Sequence, residues 1–176
     1  MRGFIEKVAM ALVLVPLVSM PAFAADSGGG DAKKECKEGE VYNSETDKCE
    51  APKQGMIYDD ESIYLAGRAL AKAGRYDEAI NILTMASDKT DARILNYLGY
   101  SHRKAGRVVV GLGYYQEALL NNPDYTLVRE YMGEAYLMLG QVDKAREQLG
   151  EIAKRCGTGC AEYLQLSQNI DAHLNG

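Results

Sequence analysis

The sequence predicts an all-α fold: an αα-hairpin solenoid of three helix pairs plus a capping helix, preceded by a signal peptide and a small disulfide-stapled hairpin. Three observations predict it. From Met56 onward, apolar residues recur at helical spacing. Glycines recur at a fixed interval: Gly99 to Gly133 and Gly106 to Gly140 each span 34 residues, and Gly67 to Gly99 is two shorter. Three segments also repeat one another, GRYDEAI from Gly74, GRVVVGL from Gly106 and GQVDKAR from Gly140.

The first residues read as a processing signal. Arg2 and Lys7 give a positive start, Val8 to Val18 is an apolar run interrupted by Pro16, and Ala22-Phe23-Ala24 offers the small residues of a cleavage site. That run is too short to span a bilayer as a mature helix. Residues 1–24 are therefore expected to be removed, and residues 25–35, with Ser27-Gly28-Gly29-Gly30, read as a flexible linker. What remains of the 176 residues is about one domain's worth. The formal net charge is −5, and losing Arg2, Lys7 and Glu6 makes the mature chain slightly more acidic. Binding of nucleic acid or anionic lipid in bulk needs a basic field, so both are disfavoured.

Four cysteines in an exported chain point to disulfides. Three pairings are possible, and the sequence-local one is expected, Cys36 with Cys49 and Cys156 with Cys160. Residues 36–50 then form a hairpin turning at Ser44-Glu45-Thr46, too small to hold a core without its staple. On the chain-entropy view that loop closure contributes about 3 kcal/mol. Residues 51–59 are a connector. Cys156 and Cys160 flank Gly157-Thr158-Gly159, where a bend brings the thiols within reach.

Residues 60–157 divide into three units. In the first, Ile63, Ala66, Gly67 and Leu70 make one helix, Gly74 ends it, and Ala79, Ile80, Leu83 and Ala86 make the next. In the second, Leu95, Leu98, Gly99 and His102 lead to Gly106, followed by Gly111, Tyr115, Ala118, Leu119 and Pro123. In the third, Arg129, Met132, Gly133 and Tyr136 lead to Gly140, followed by Ala145, Leu149 and Ile152. Residues 158–176 supply a capping helix with Tyr163, Leu164, Ser167, Ile170 and Leu174 on one stripe. Seven helices are expected in all.

This 34-residue period with this content resembles the tetratricopeptide repeat family over residues 60–157. The matching residues are Gly67, Gly74 and Ala79, then Leu98, Gly99, Tyr115, Ala118 and Pro123, then Gly133, Tyr136, Gly140 and Ala145. Gly111 stands at the helix crossing of the middle unit, where the other units have Ala79 and Ala145. No Trp occurs in the first helix of any unit.

The resemblance implies a concave groove lined by the first helix of each unit and holding a protein or peptide partner. Removing the packing positions leaves Glu61, Tyr64, Arg68 and Lys72, then Arg93, Asn96, Tyr100, Arg103 and Lys104, then Leu127, Glu130, Glu134 and Met138. Arg68, Lys72, Arg103 and Lys104 favour a ligand with an acidic segment. Tyr64 and Tyr100 offer faces suited to an interface. A chaperone-tail carboxylate clamp would need basic residues where unit three has Leu127 and Tyr131.

No reactive centre stands out. His102 reads as a packed imidazole, and His173 suits the end of the last helix. Gly111-Leu112-Gly113 lies inside a helix, so it is not a phosphate loop. The cysteine spacings do not suit zinc, and no cofactor is called for. The expected function is a non-catalytic scaffold of the periplasm or cell envelope, or secreted. The alternatives are a self-associating structural protein, with a homo-oligomer as its product, and a redox factor using Cys156 and Cys160.

Overall fold

The computed structural model describes residues 36–53 and 55–176. The expected signal peptide and linker lie outside the described residues. The first described element is the stapled hairpin, β1 (Val41–Asn43) paired antiparallel with β2 (Lys48–Glu50) in the register Val41↔Glu50, Tyr42↔Cys49 and Asn43↔Lys48. Asn43 organises its turn. The Asn43 Oδ1 accepts from the backbone N–H groups of Glu45 at 2.9 Å and Thr46 at 3.3 Å, and its Nδ2 donates to Glu50 Oε1 at 2.6 Å. The Cys36–Cys49 disulfide ties the incoming chain to β2.

Seven helices follow among the described residues: α1 (Asp60–Lys72), α2 (Tyr76–Leu83), α3 (Ala92–Lys104), α4 (Val108–Asn121), α5 (Thr126–Met138), α6 (Val142–Cys156) and α7 (Ala161–Asn175). Asp59 caps α1 by accepting from the Ser62 N–H at 2.9 Å and the Ser62 hydroxyl at 2.7 Å. Gly74, Gly106 and Gly140 each take φ between 69° and 84°, the left-handed turn that closes α1, α3 and α5. The backbone N–H of the next residue reaches back in each case, Arg75 to Leu70 O, Arg107 to His102 O and Gln141 to Tyr136 O.

The packing of these helices sets the curvature. Consecutive helices pack as hairpins, and α1 also touches α3, α3 touches α5, and α5 touches α7. The second helices α2, α4 and α6 do not touch one another. A row in mutual contact beside a splayed row makes the first row the inner face, so α1, α3, α5 and α7 line the concave side.

Glycine permits the closest crossings. A Cβ on Gly99 would lie 2.5 Å from Cε1 of Tyr115 and 3.0 Å from the Gly111 carbonyl oxygen. A Cβ on Gly67 would overlap Leu83, and one on Gly133 would lie 2.6 Å from Leu166. The glycine of the third unit thus faces the capping helix α7.

Two details of the helix packing differ from expectation. In α2 Ile82 is buried together with Ala79 and Leu83, while Ile80 is only half-buried. In α7 Leu166 and Ile170 are buried, while Leu164 and Leu174 are exposed. The α7 stripe therefore runs through Leu166, one turn before Ile170, and the last turn of α7 projects into solvent. The hairpin is also no loose appendage: Val41 is 0% exposed and shares a core with Ile63, Ala66 and Leu70. It covers the end of the helical array that α1 would otherwise leave open.

Candidate partner-binding groove

Each unit contributes to the inner face from three successive turns of its first helix. Two repeat-equivalent series run along it: Tyr64, Asn96 and Glu130, and next to them Leu65, Tyr97 and Tyr131, of which Asn96, Tyr97 and Glu130 are buried. Tyrosines connect the units edge to edge. Ring centroids are 5.8 Å apart for Tyr64 and Tyr97, 6.1 Å for Tyr97 and Tyr100, and 5.2 Å for Tyr100 and Tyr131. Tyr115 closes the ladder from below, 6.4 Å from Tyr131. Desolvation raises the hydroxyl pKa of Tyr64, Tyr100 and Tyr131, so these rings present neutral phenols at physiological pH.

The basic residues divide into committed and exposed ones. Arg93 donates to Glu61 at 2.8 Å and to Asp91 at 2.7 Å, with its guanidinium 4.6 Å above the Tyr64 ring. Hydrogen bonds to Asp91 and Glu61 hold Arg93 well above its ordinary pKa. Arg103 is 4% exposed and pairs with Glu134 at 2.6 Å. Its Nε donates to the Tyr115 hydroxyl at 3.3 Å, and its guanidinium lies 5.6 Å and 5.4 Å from the Tyr100 and Tyr131 rings. Burial works against that charge, but Tyr115 and Glu134 keep it firmly protonated. Arg68 donates to the Tyr97 hydroxyl at 3.2 Å. Lys72 and Lys104 remain exposed, Lys104 with its Nζ 6.0 Å from the Tyr100 ring.

The acidic end lies in unit three. Glu134 accepts from Arg103 and also from Asn169 of α7, at 2.9 Å. Glu130, one turn earlier, is 7% exposed and makes no hydrogen bond or ion pair among the described residues. Burial first, then the nearby Glu134 and Glu162, push its carboxyl pKa up to about 7. Asn96 is 0% exposed, and neither its Nδ2 nor its Oδ1 has a partner. Leu127 is half-buried, Met138 is exposed, and Glu61 is engaged by Arg93.

Sequence reasoning put Arg103 on the surface as a ligand-facing cation and Asn96 beside it. The fold places both beneath the surface, Arg103 against Glu134 and Tyr131 of α5 and Tyr115 of α4. Reasoning from the sequence did not mark Tyr97, which is 6% exposed and joins Tyr64 to Tyr100 from within the core. The 34-residue step from Tyr97 to Tyr131 was a signal that could have found it.

The remaining cysteines form the Cys156–Cys160 disulfide, which spans the junction of α6 and α7. His102 is half-buried, stacked on Tyr114 at 5.3 Å, and its Nδ1 accepts from Arg107 Nε at 2.9 Å. Desolvation and the Arg107 charge lower its pKa, so the ring is a neutral packing group. A cavity of about 360 Å³ lies between the hairpin and α1, bordered by Glu38, Glu40, Tyr42, Leu65, Arg68 and Lys72. No helix among the described residues is long and apolar enough to cross a membrane.

The family model for the tetratricopeptide repeat matches the chain twice, over residues 64–125 and 98–159, together more than half of its length. The chain belongs to the tetratricopeptide repeat family. No curated protein matches this repeat protein in sequence. Solved structures share its fold at low identity. MamA, from residue 41 to its end, of Desulfovibrio magneticus RS-1 is 20% identical with a TM-score of 0.52, over 54% of this chain and 55% of that one. The repeat protein thus spans about half the length of that MamA chain. The first TPR of Spaghetti (RPAP3), bound to the HSP90 peptide SRMEEVD, is 20% identical with a TM-score of 0.59, over 67% of this chain and 99% of that one. PcrH, in complex with the chaperone binding region of PopB, is 22% identical with a TM-score of 0.56, over 69% and 99%.

Proposed function

We propose that this protein is a non-catalytic scaffold of an exported compartment, periplasmic, cell-envelope or secreted, which holds a segment of a partner protein against its inner helix row. The observation that carries this reading is the tyrosine ladder Tyr64–Tyr97–Tyr100–Tyr131, which runs without a break through all three units. Tyrosine faces bury apolar area at small entropic cost while their hydroxyls keep hydrogen-bonding capacity, which suits them to reading a peptide. Lys72 and Lys104 stand at one margin of this surface and favour an acidic stretch of the partner there. The peptide-bound RPAP3 and PcrH structures of the same fold support a segment as the ligand. Two disulfides, with no free cysteine among the described residues, support an oxidising compartment.

Capture from the envelope fraction tests the proposal. The protein serves as bait beside a Lys72→Glu/Lys104→Glu/Tyr64→Ala variant, whose three positions lie outside the Arg103–Glu134 pair and the rings stacked on it. A discrete partner retained by the first and lost by the second is the expected result. Equal capture by both sinks the groove assignment.

A further inference from the structure

Two polar side chains on the inner face are buried without partners. Glu130 is 7% exposed and unpaired, and Asn96 is fully buried with both amide atoms unsatisfied. They occupy equivalent positions in adjacent units, on helices α3 and α5, which pack directly together. Buried polar groups are normally paired, and each orphan costs free energy that a ligand can recover.

Among the described residues, no cation forms an ion pair with Glu130. Arg103, the basic group nearest Glu130, is held by Glu134 and Tyr115. Asn169, reaching over from α7, donates to Glu134. Glu162, at the start of α7, adds a further negative charge. Tyr131, the next residue along α5, offers a ring face to a neighbouring cation, as it already does to Arg103.

We propose that the groove takes one basic side chain of the partner, an arginine or lysine, at Glu130. The proposal deepens the scaffold reading and rests on it. It gives the bound segment a direction: acidic residues toward Lys72 and Lys104, and a basic residue toward α5 and α7. A carboxylate in an apolar, water-poor setting gains much more from an incoming cation than an exposed one does. The raised proton affinity of Glu130 comes from that burial and from the nearby Glu134 and Glu162, which outweigh Arg103.

The test needs no knowledge of the partner. Ethylguanidinium, the arginine head group, is titrated into the protein while the Glu130 carboxyl carbon and the Tyr131 ring are followed by NMR. Ethylurea, of the same shape and uncharged, and calcium chloride are the parallel arms. The expected result is a saturable shift with ethylguanidinium alone and a titration midpoint for Glu130 lowered by about one unit. Glu130→Gln, a near-isosteric change, should abolish the Tyr131 response. No saturable shift, an equal shift with ethylurea, a shift with calcium, or a response surviving in Glu130→Gln would each overturn the proposal. Ethylguanidinium binding at Glu130 combined with groove-independent partner capture would leave the cation site standing and remove the scaffold's groove reading. The converse pair of results would do the reverse.

Discussion

The guanidinium of Arg103 on α3 lies 2.6 Å from the carboxylate of Glu134 on α5, and this buried pair joins the second unit to the third beneath the tyrosine ladder. Its environment decides its weight. Arg103 is buried while Glu134 is 24% exposed, so removing Glu134 would leave the Arg103 charge desolvated and unpaired, a loss of about 3 kcal/mol or more. Glu134→Ala should therefore destabilise the fold by roughly that amount, whereas Lys104→Ala, at an exposed position next to Arg103, should change it by less than about 0.5 kcal/mol. Urea unfolding of the two variants checks the contrast.

Two glycines of one helix should respond with opposite sign. Gly111→Ala would place its Cβ 2.7 Å from the Gly99 carbonyl oxygen, whereas a Cβ at Gly113 meets nothing within 4 Å. The first should cost about 1–3 kcal/mol by forcing α3 and α4 apart. The second should stabilise α4 by about 0.5–1 kcal/mol, the difference in helix propensity. Thermal melts of the two single variants measure both.

The contrast marks what the sequence could and could not reveal. The helix pairs, their glycine turns and both disulfide pairings were legible, because periodicity, left-handed caps and local cysteine spacing are properties of short stretches. The role of Gly133 was not, since it faces Leu166, 33 residues further on and on the capping helix. Nor was the burial of Arg103 and Asn96. Whether an arginine meets solvent or a carboxylate depends on which helix packs over it, and no local pattern around Arg103 announces Glu134. The role of the stapled hairpin also stayed open in the sequence, until the structure placed Val41 in the core of the first unit.

That placement makes the hairpin a stability element. Cys36→Ser/Cys49→Ser should lose about 3 kcal/mol of loop-closure stabilisation and lower the melting temperature of the helices along with the hairpin, since the two share one core. A hairpin that unfolds alone, leaving the helical transition unmoved, would contradict this. The shorter Cys156–Cys160 closure should contribute less, about 2 kcal/mol on the same model.

Glu130 gives the protein a pH dependence of known sign. Its carboxyl pKa is about 7 in the fold against the ordinary 4.5. Between those values the folded state holds a proton that the unfolded chain has released, so stability is full below the lower value and falls as pH rises through the upper one. Glu130→Gln should remove this slope and be more stable than the parent by about 1–2 kcal/mol at pH 8. Denaturant titrations at pH 4.5, 6 and 8 give the comparison.

The central claim is that the partner lies on the inner row of helices. A photo-crosslinking amino acid placed at Tyr100, on the ladder, and separately at Leu120, which is 83% exposed on α4 of the outer row, tests it most directly. After irradiation in the native host cells, the crosslinked peptide is identified by mass spectrometry. The account predicts one discrete partner segment attached at Tyr100 and none at Leu120. The same segment attached at Leu120, with Tyr100 unreacted, would contradict it.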